Sequence, residues 1–139
     1  MAFVVDASML AAWLLPDETT PQTDAILDRL DVDQAIAPDL LWHEARNLIL
    51  NSVRRGRASP GFIDWAIPKL TSLPILDAGP GEARPIVDLA RARELSAYDA
   101  AYLWLAKTEG AALATLDRKL RAAATAEGIA LLPDMIAAA

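Results

Sequence analysis

Residues 3–16, FVVDASMLAAWLLP, contain an abrupt change of pattern that decides the fold class. Phe3 to Val5 are apolar and include two β-branched residues, which is typical of a buried strand. Ala7 to Leu15 are helix-favouring residues, and Pro16 ends the run. A strand that passes directly into a helix is the first half of a β-α-β unit, so the sequence predicts an α/β protein.

Short apolar runs and helical stretches alternate along the rest of the chain. We predict further strands at 35–37, 74–76, 111–116 and 129–132, and helices at 19–30, 38–53, 59–70 (ended or kinked by Pro68), 82–93, 96–109 and 117–127. This alternation predicts an α/β/α sandwich with a central parallel sheet of four to five short strands, covered by helices on both faces. We expect a single domain over residues 1–136 and a frayed tail at 137–139.

The composition excludes several classes of function. The 139 residues include 13 Lys and Arg against 19 Asp and Glu, so the formal net charge is −6. This acidity argues against a protein that holds nucleic acid mainly by neutralising many phosphates. The chain has no cysteine and a single histidine, His43, which excludes disulfides, thiolate chemistry and poly-histidine metal sites. Without a basic leader or a long apolar run, we expect a cytoplasmic protein with no membrane association.

Two acidic residues immediately follow predicted strands. Asp6 comes directly after the strand at 3–5, and Asp117 comes directly after the strand at 111–116. Both are therefore expected at the carboxyl edge of the sheet, where open α/β proteins bind ligands. Each also occupies a helix N-cap position, at which an aspartate side chain accepts a hydrogen bond from a free backbone amide. Position alone leaves capping and ligand binding open.

Two further acidic residues lie on apolar helix faces. Glu44 falls in the apolar stripe of helix 38–53, and Asp99 is the only charge in the segment 95–106. A charge that faces a core is unfavourable by several kcal/mol unless it is paired or bound to a cation. Glu44 has the alternative of extending to water or pairing with an arginine. Asp99 has the spacing of a capping box with Ser96.

Together the four carboxylates form an all-oxygen set of candidate ligands. Mg²⁺ and Mn²⁺ prefer such ligands, whereas Zn²⁺ and Cu²⁺ prefer nitrogen or sulfur. Four neighbouring carboxylates without a cation repel one another and take up protons. If the fold brings them together, we therefore expect a divalent cation among them.

Three blocks of sequence carry a more specific pattern. They are residues 3–8, 95–106 and 113–129, which include YDAAY at 98–102 and TLDRKL at 115–120. In these blocks the chain resembles the PIN-domain ribonucleases, and most of all the VapC-type toxins of bacterial toxin–antitoxin pairs. The resemblance implies an endoribonuclease that hydrolyses RNA phosphodiester bonds with Mg²⁺ or Mn²⁺. It also implies that the catalytic and metal-binding residues are Asp6, Glu44, Asp99 and Asp117.

The resemblance also implies supporting residues and partners. Ser8 and Thr115 match polar positions that support the site by hydrogen bonding. Members of the family commonly form homodimers and are inhibited by a small antitoxin protein whose tail occupies the active-site groove. From the basic residues themselves, we expect the RNA substrate to be contacted by Arg118, Lys119, Arg121 and Arg46.

Two other surfaces have an ambiguous role in the sequence. The basic run Arg54, Arg55 and Arg57 is a second candidate for RNA contact. We favour the simpler interpretation that it stabilises the negative end of a helix dipole. On the first helix, Trp13 with its leucine neighbours Leu10 and Leu14 is a candidate apolar strip for a dimer or antitoxin partner.

Alternatives from other classes remain open. A receiver-like phosphoacceptor domain also places an aspartate and Mg²⁺ at a sheet edge, but it requires an acidic pair after the first strand, and Asp6 has no acidic neighbour. A haloacid-dehalogenase-type phosphatase requires an aspartate at the position of Ser8. A catalytically inert protein-binding module on a PIN scaffold has no use for four acids at unfavourable positions.

Overall fold

The computed structural model describes residues 1–135, which form five β-strands and seven α-helices. The strands are β1 (Ala2–Val5), β2 (Gln34–Ala37), β3 (Ile75–Asp77), β4 (Ala112–Ala114) and β5 (Leu131–Leu132). The helices are α1 (Ala7–Leu14), α2 (Pro21–Asp28), α3 (Leu40–Arg54), α4 (Gly61–Ser72), α5 (Ala83–Arg93), α6 (Ala97–Glu109) and α7 (Arg118–Ala126). None of the helices in this range combines the length and apolar content needed to cross a membrane. The predicted frayed tail at 137–139 lies outside the described residues.

All neighbouring strands are parallel, in the order β3-β2-β1-β4-β5. In the register, Val4 of β1 is paired with Ile36 on one side and with Leu113 on the other. The chain builds outward from β1 to β3, then crosses back to place β4 beside β1. The reversal between β1 and β4 is a topological switch point, where the loops diverge and open α/β sheets bind their ligands.

Helices cover the sheet in two groups and confirm the predicted α/β/α sandwich. Helix α1 contacts α2, α3 and α4, whereas α6 contacts β1, β4, α5 and α7. Val4, Val5 and Leu113 of the two central strands are completely buried. Each buried side chain of this size stabilises the fold by about 1.5–3 kcal/mol. The loops after β1 and β4 therefore start from the best-buried part of the molecule.

Helix α2 is shorter than the predicted helix 19–30. It begins at Pro21, and Thr20 and Thr23 form a reciprocal capping box at its start. A 3-10 turn at Pro16–Glu18 precedes it, and another at Arg29–Asp31 follows. Proline is favoured in the first helical turn because its missing amide has no partner there in any case, which explains the later start.

Helix α4 runs through Pro68, which the sequence predicted to end or kink it. Pro68 lies inside the helix, which continues to Ser72. An internal proline costs a helix about 3 kcal/mol because it removes a hydrogen bond and crowds the preceding turn. Ala66 and Leu70 on either side of it are buried, so tertiary contacts hold the last turn in place.

The predicted apolar strip on α1 is not at the surface. Leu10, Trp13 and Leu14 are buried, and Trp13 Nε1 donates a hydrogen bond to the backbone oxygen of Thr23 at 2.9 Å. The prediction of a docking strip is therefore wrong. The periodicity of one helix shows which face is apolar, but it does not show that α2 and its neighbours cover that face.

Candidate active site

A network of hydrogen bonds surrounds the Asp6 carboxylate at the end of β1. Its Oδ1 accepts from Ser8 Oγ at 2.7 Å and from the Met9 amide at 3.0 Å, and its Oδ2 accepts from Thr115 Oγ1. The Asp6 amide donates to Ala114 O at 3.2 Å, which extends the pairing of β1 and β4 to this residue. Asp6 is only 4% exposed. Burial raises the pKa of Asp6 from 3.8 to about 6, although these three donors oppose the rise.

Ser8 and Thr115 join the two strand ends. Their hydroxyl oxygens are 3.2 Å apart, and each donates to Asp6. Ser8 Oγ accepts from the Leu116 amide at 2.8 Å, and Thr115 Oγ1 accepts from the Asp117 amide at 3.1 Å. Each hydroxyl thus acts as donor and acceptor at once. Both supporting residues expected from the sequence lie where a hydroxyl orients the Asp6 carboxylate.

The two aspartates at the strand ends also cap helices. Asp6 accepts from the Met9 amide at the start of α1, and Asp117 Oδ1 accepts from the Leu120 amide at 2.8 Å at the start of α7. Each cap uses one oxygen of the carboxylate. The capping alternative raised by the sequence is therefore confirmed, and it does not conflict with a further role for either residue.

Glu44 has a partner that the sequence did not indicate. Tyr102 Oη donates to Glu44 Oε1 at 2.7 Å and so joins α3 to α6. Burial and the contact with Glu44 raise the pKa of Tyr102, so its hydroxyl keeps its proton and stays a donor. Burial raises the pKa of Glu44, the Tyr102 hydroxyl lowers it, and the charge of Asp99 raises it. Within residues 1–135, Glu44 forms no salt bridge with Arg46 or Arg118.

Asp99 lies in the first turn of α6. Ser96 is the N-cap of this helix, and its Oγ accepts from the Asp99 amide at 3.1 Å. Burial raises the pKa of the Asp99 carboxyl and the charge of Asp117 raises it further, while the Ser96 hydrogen bond and the charge of Lys119 lower it. Asp99 therefore lies within electrostatic reach of the start of α7.

The four predicted carboxylates influence one another electrostatically. The charge of Asp117 raises the pKa of both Asp6 and Asp99, and the charge of Asp99 raises that of Glu44. The charges of Glu44, Asp6 and Asp99 each raise the pKa of Tyr102. Within the described part of the chain, no lysine or arginine forms a salt bridge with any of the four. Within residues 1–135, the negative charge of the group is therefore offset by the nearby charge of Lys119 and by no salt bridge.

This donor set fits a hard divalent cation in its chemistry. It consists of carboxylate oxygens supported by hydroxyls, which Mg²⁺ and Mn²⁺ prefer. As the side chains stand, no three acidic or histidine residues in the range 1–135 are close enough to share an ion. Both oxygens of Asp6 and one oxygen of Asp117 are occupied by hydrogen bonds. A cation at this edge would therefore compete with those hydrogen bonds.

Comparison with known proteins identifies the family. The model of the PIN domain family matches residues 3–126. The chain belongs to the PIN domain family. The crystal structure of PAE2754 from Pyrobaculum aerophilum is similar to this PIN domain, with 27% sequence identity, a TM-score of 0.68, and coverage of 88% of this chain and 79% of that chain. No curated protein matches the sequence significantly.

PIN domains are generally nucleases, and they usually use divalent metal ions. The family match removes the receiver-like alternative. The strand order agrees with this, because receiver domains have the order 2-1-3-4-5, whereas this PIN domain has the order β3-β2-β1-β4-β5.

Three of the four predicted RNA-contact residues of this PIN domain are exposed. Arg118 and Lys119 follow Asp117 at the start of α7. Arg46 lies on α3, where its Nη2 donates to His43 Nδ1 at 2.9 Å. Arg118 and Lys119 are therefore accessible beside the acidic group, while Arg46 is accessible on the helix that carries Glu44.

Arg121 is buried, so its prediction as an RNA contact is wrong. Its guanidinium donates to the backbone oxygens of Thr115 at 2.9 Å, Pro133 at 2.6 Å and Asp134 at 3.3 Å. Burial lowers the pKa of Arg121. Local sequence shows a basic helix start, but it does not show that the distant segment after β5 returns to this side chain.

Replacing Tyr102 with phenylalanine should remove the hydrogen-bond donor of Glu44. We expect the pKa of Glu44 to rise, because the hydroxyl lowers it in the native protein. We also expect the free energy of unfolding to fall by about 1.5–3 kcal/mol, as for other hydrogen bonds to charged groups. NMR titration of the Glu44 carboxyl carbon and urea denaturation measure the two effects.

Tyr98 provides the matched control for this experiment. It lies on the same helix and is 69% exposed, so Tyr98→Phe should leave both measurements unchanged. An unaltered Glu44 titration in the Tyr102→Phe protein would contradict the assigned role of the hydroxyl.

Proposed function

We propose that this PIN domain is a Mg²⁺- or Mn²⁺-dependent endoribonuclease that hydrolyses phosphodiester bonds in RNA. The observation that carries the proposal is the group of four carboxylates at the switch point between β1 and β4. The charge of Asp117 raises the pKa of Asp6 and Asp99, the charge of Asp99 raises that of Glu44, and none of the four forms a salt bridge within residues 1–135. Family membership supports nuclease chemistry at this position.

Each residue of the site would have a distinct role in the reaction. Asp6, Asp99 and Asp117 would hold the ion, and Glu44 would be a further ligand or would orient the attacking water. A bound divalent ion lowers the pKa of a water molecule and neutralises the charge that develops on the phosphorane-like transition state. Ser8 and Thr115 fix the position of the Asp6 carboxylate, and Tyr102 fixes that of Glu44. The reaction needs no side-chain nucleophile.

Contact with RNA would be local rather than extensive. Arg118 and Lys119 are exposed next to Asp117 and are placed to bind phosphates near the acidic group. The net charge of −6 includes the four carboxylates of the site itself. The acidity therefore opposes binding through many phosphates, and it does not oppose a few phosphate contacts beside a bound cation.

Addition of Mn²⁺ should raise the melting temperature of the protein. An ion that binds only the folded state stabilises it by about 2.7 kcal/mol at a hundredfold excess over Kd. For a chain of this length, that corresponds to a shift of about 8 °C. Asp117→Asn should remove most of the shift and should also abolish the cleavage of RNA by the purified protein.

Asp77 is the matched control, because it is an exposed aspartate at the same edge of the sheet, at the end of β3. Asp77→Asn should keep both the shift and the activity. RNA cleavage that persists in EDTA would reject metal dependence. Absence of both cleavage and thermal shift would favour an inert binding module.

We further propose that the nuclease is the toxin of a toxin–antitoxin pair, that it acts as a homodimer, and that a small antitoxin protein inhibits it. The resemblance of residues 3–8, 95–106 and 113–129 to VapC-type toxins supports this role. Expression alone should arrest bacterial growth, and the product of a short adjacent reading frame should relieve the arrest. An active nuclease without any effect on growth would contradict the toxin role.

A further inference from the structure

A cavity of about 280 Å³ lies beside the acidic group, along one face of α3. Glu44 lines one end of it, Asn47 and Asn51 continue along the helix, and Arg55, the C-cap residue of α3, lines the other end. Glu44, Asn47 and Asn51 follow one another at intervals of three or four, so they share one helix face, which leads toward Arg55. Arg57, in the loop after α3, lines the same cavity.

Several polar side chains line the cavity beside the apolar Ala7 and Leu48, and three of them are free of side-chain partners in the described part of the chain. Within residues 1–135, the side-chain amides of Asn47 and Asn51 make no hydrogen bond, and Arg55 makes no salt bridge. Arg57 differs, because it pairs with Asp17 at 2.9 Å and with Glu18 at 3.6 Å. Arg55 is therefore the cation in this cavity that is available to a ligand.

Glu44 and Arg55, the charged residues at the two ends of the cavity, are far apart. A helix rises 1.5 Å per residue, so Arg55 lies about 16 Å from Glu44 along the axis. An arginine at that separation does not reach a phosphate held at the four carboxylates. A ligand that reaches both ends must therefore be a chain, with one phosphate at the acidic group and another at Arg55.

The chemistry of the lining favours a nucleotide over a protein segment. Asparagine amides offer a donor and an acceptor side by side, as base edges require, and arginine binds phosphate. Unstacked bases of single-stranded RNA enter pockets, whereas duplex RNA is recognised by its overall shape.

We propose that this cavity is a subsite for single-stranded RNA flanking the cleaved bond, in which Asn47 and Asn51 bind a base and Arg55 binds a phosphate. The proposal rests on the proposed endoribonuclease function, and it specifies the path that the RNA strand takes away from the acidic group. For Arg55, RNA binding thus takes the place of the helix-dipole interpretation favoured from the sequence. Arg54, its neighbour, does not line the cavity.

Arg54 and Arg55 form a matched pair for the test. Both are exposed arginines at the end of α3, and only Arg55 lines the cavity. We expect Arg55→Ala to weaken binding of a fluorescein-labelled single-stranded RNA about three- to tenfold, measured by fluorescence anisotropy in EDTA. We expect the slope of log K against log salt to fall by about 0.7, as for one lost phosphate contact. Arg54→Ala should stay within about twofold of wild type, and Asn51→Ala should weaken binding without changing the salt slope.

The binding and cleavage measurements test the RNA subsite and the nuclease function independently. Equal effects of Arg54→Ala and Arg55→Ala, or no effect of either, would overturn the subsite even in an active nuclease. Loss of binding to a protein partner but not to RNA in Arg55→Ala would likewise overturn it. If the wild-type protein cleaves no RNA and the Arg55 difference persists, the nuclease function fails, whereas RNA binding in the cavity is supported.

Discussion

Asp6→Asn is expected to abolish RNA cleavage and, at the same time, to stabilise the metal-free protein above pH 6. Asp6 combines two properties that oppose each other. Its carboxylate is the most buried of the four acids and would hold the cation. Without a cation, the same burial raises its pKa from 3.8 to about 6, so the charged form is disfavoured in the folded protein.

The direction of the pH dependence follows from that pKa. The folded protein retains a proton on Asp6 that the unfolded chain releases near pH 3.8. The resulting stabilisation is full below pH 3.8 and is lost as the pH rises through about 6. The difference between the two pKa values corresponds to about 3 kcal/mol. Asparagine carries no charge and still offers an oxygen to Met9 and Ser8, so the variant avoids this loss.

Urea denaturation in EDTA between pH 4 and pH 8 measures the effect, because this range brackets the pKa of Asp6, which is about 6. At pH 8, we expect the free energy of unfolding of the Asp6→Asn protein to exceed that of wild type by about 1–3 kcal/mol. At pH 4, we expect the two values to be closer. Cleavage should fall by at least about a hundredfold, since even residues that only orient metal ligands have effects approaching this size. Asp77→Asn, at an exposed position, should show neither effect. Activity within tenfold of wild type would remove Asp6 from the mechanism.

Arg121→Ala is expected to lower the free energy of unfolding by about 2–4 kcal/mol. The guanidinium holds the loop after β4 and the segment after β5 through backbone oxygens of Thr115, Pro133 and Asp134. Its removal leaves acceptors without donors and an unfilled space, and both effects destabilise. Arg121→Lys should also destabilise, because an ammonium group cannot reproduce the planar fork of donors.

Thermal denaturation should show a fall of about 10 °C for Arg121→Ala. Arg118→Ala is the control, because Arg118 lies one turn earlier on α7 and is exposed. It should leave the melting temperature unchanged and weaken RNA binding. The opposite pattern, with Arg121→Ala weakening RNA binding at an unchanged melting temperature, would restore the RNA-contact prediction made from sequence.

Local patterns in the sequence were sufficient to predict the parallel sheet and the aspartates at the strand ends. Asp6 and Asp117 follow apolar runs directly, so their place at the carboxyl edge depends only on their own segments. The order of the strands was not predictable in this way, because β1 is paired with β2 and β4, which come from distant parts of the chain.

The partners of individual side chains were also beyond local patterns. Tyr102 and Glu44 are 58 residues apart in sequence, so no local spacing connects them. One signal was available: Tyr102 follows Asp99 by three positions, which places both on the same face of α6. Arg121 lacked any such signal, because two of the three carbonyls that it binds, those of Pro133 and Asp134, come from a segment that returns only in the folded protein.

The hydroxyl contact between Ser8 and Thr115 spans 107 residues of sequence. A chain that emerges from the ribosome therefore exposes Asp6 long before Thr115 and Asp117 have been synthesised. Until β4 inserts beside β1, the acidic residues of the two strand ends are separate, and the hydrogen bond that orients Asp6 from Thr115 is absent. The order of synthesis thus delays assembly of the acidic group until β4 has been synthesised and has paired with β1.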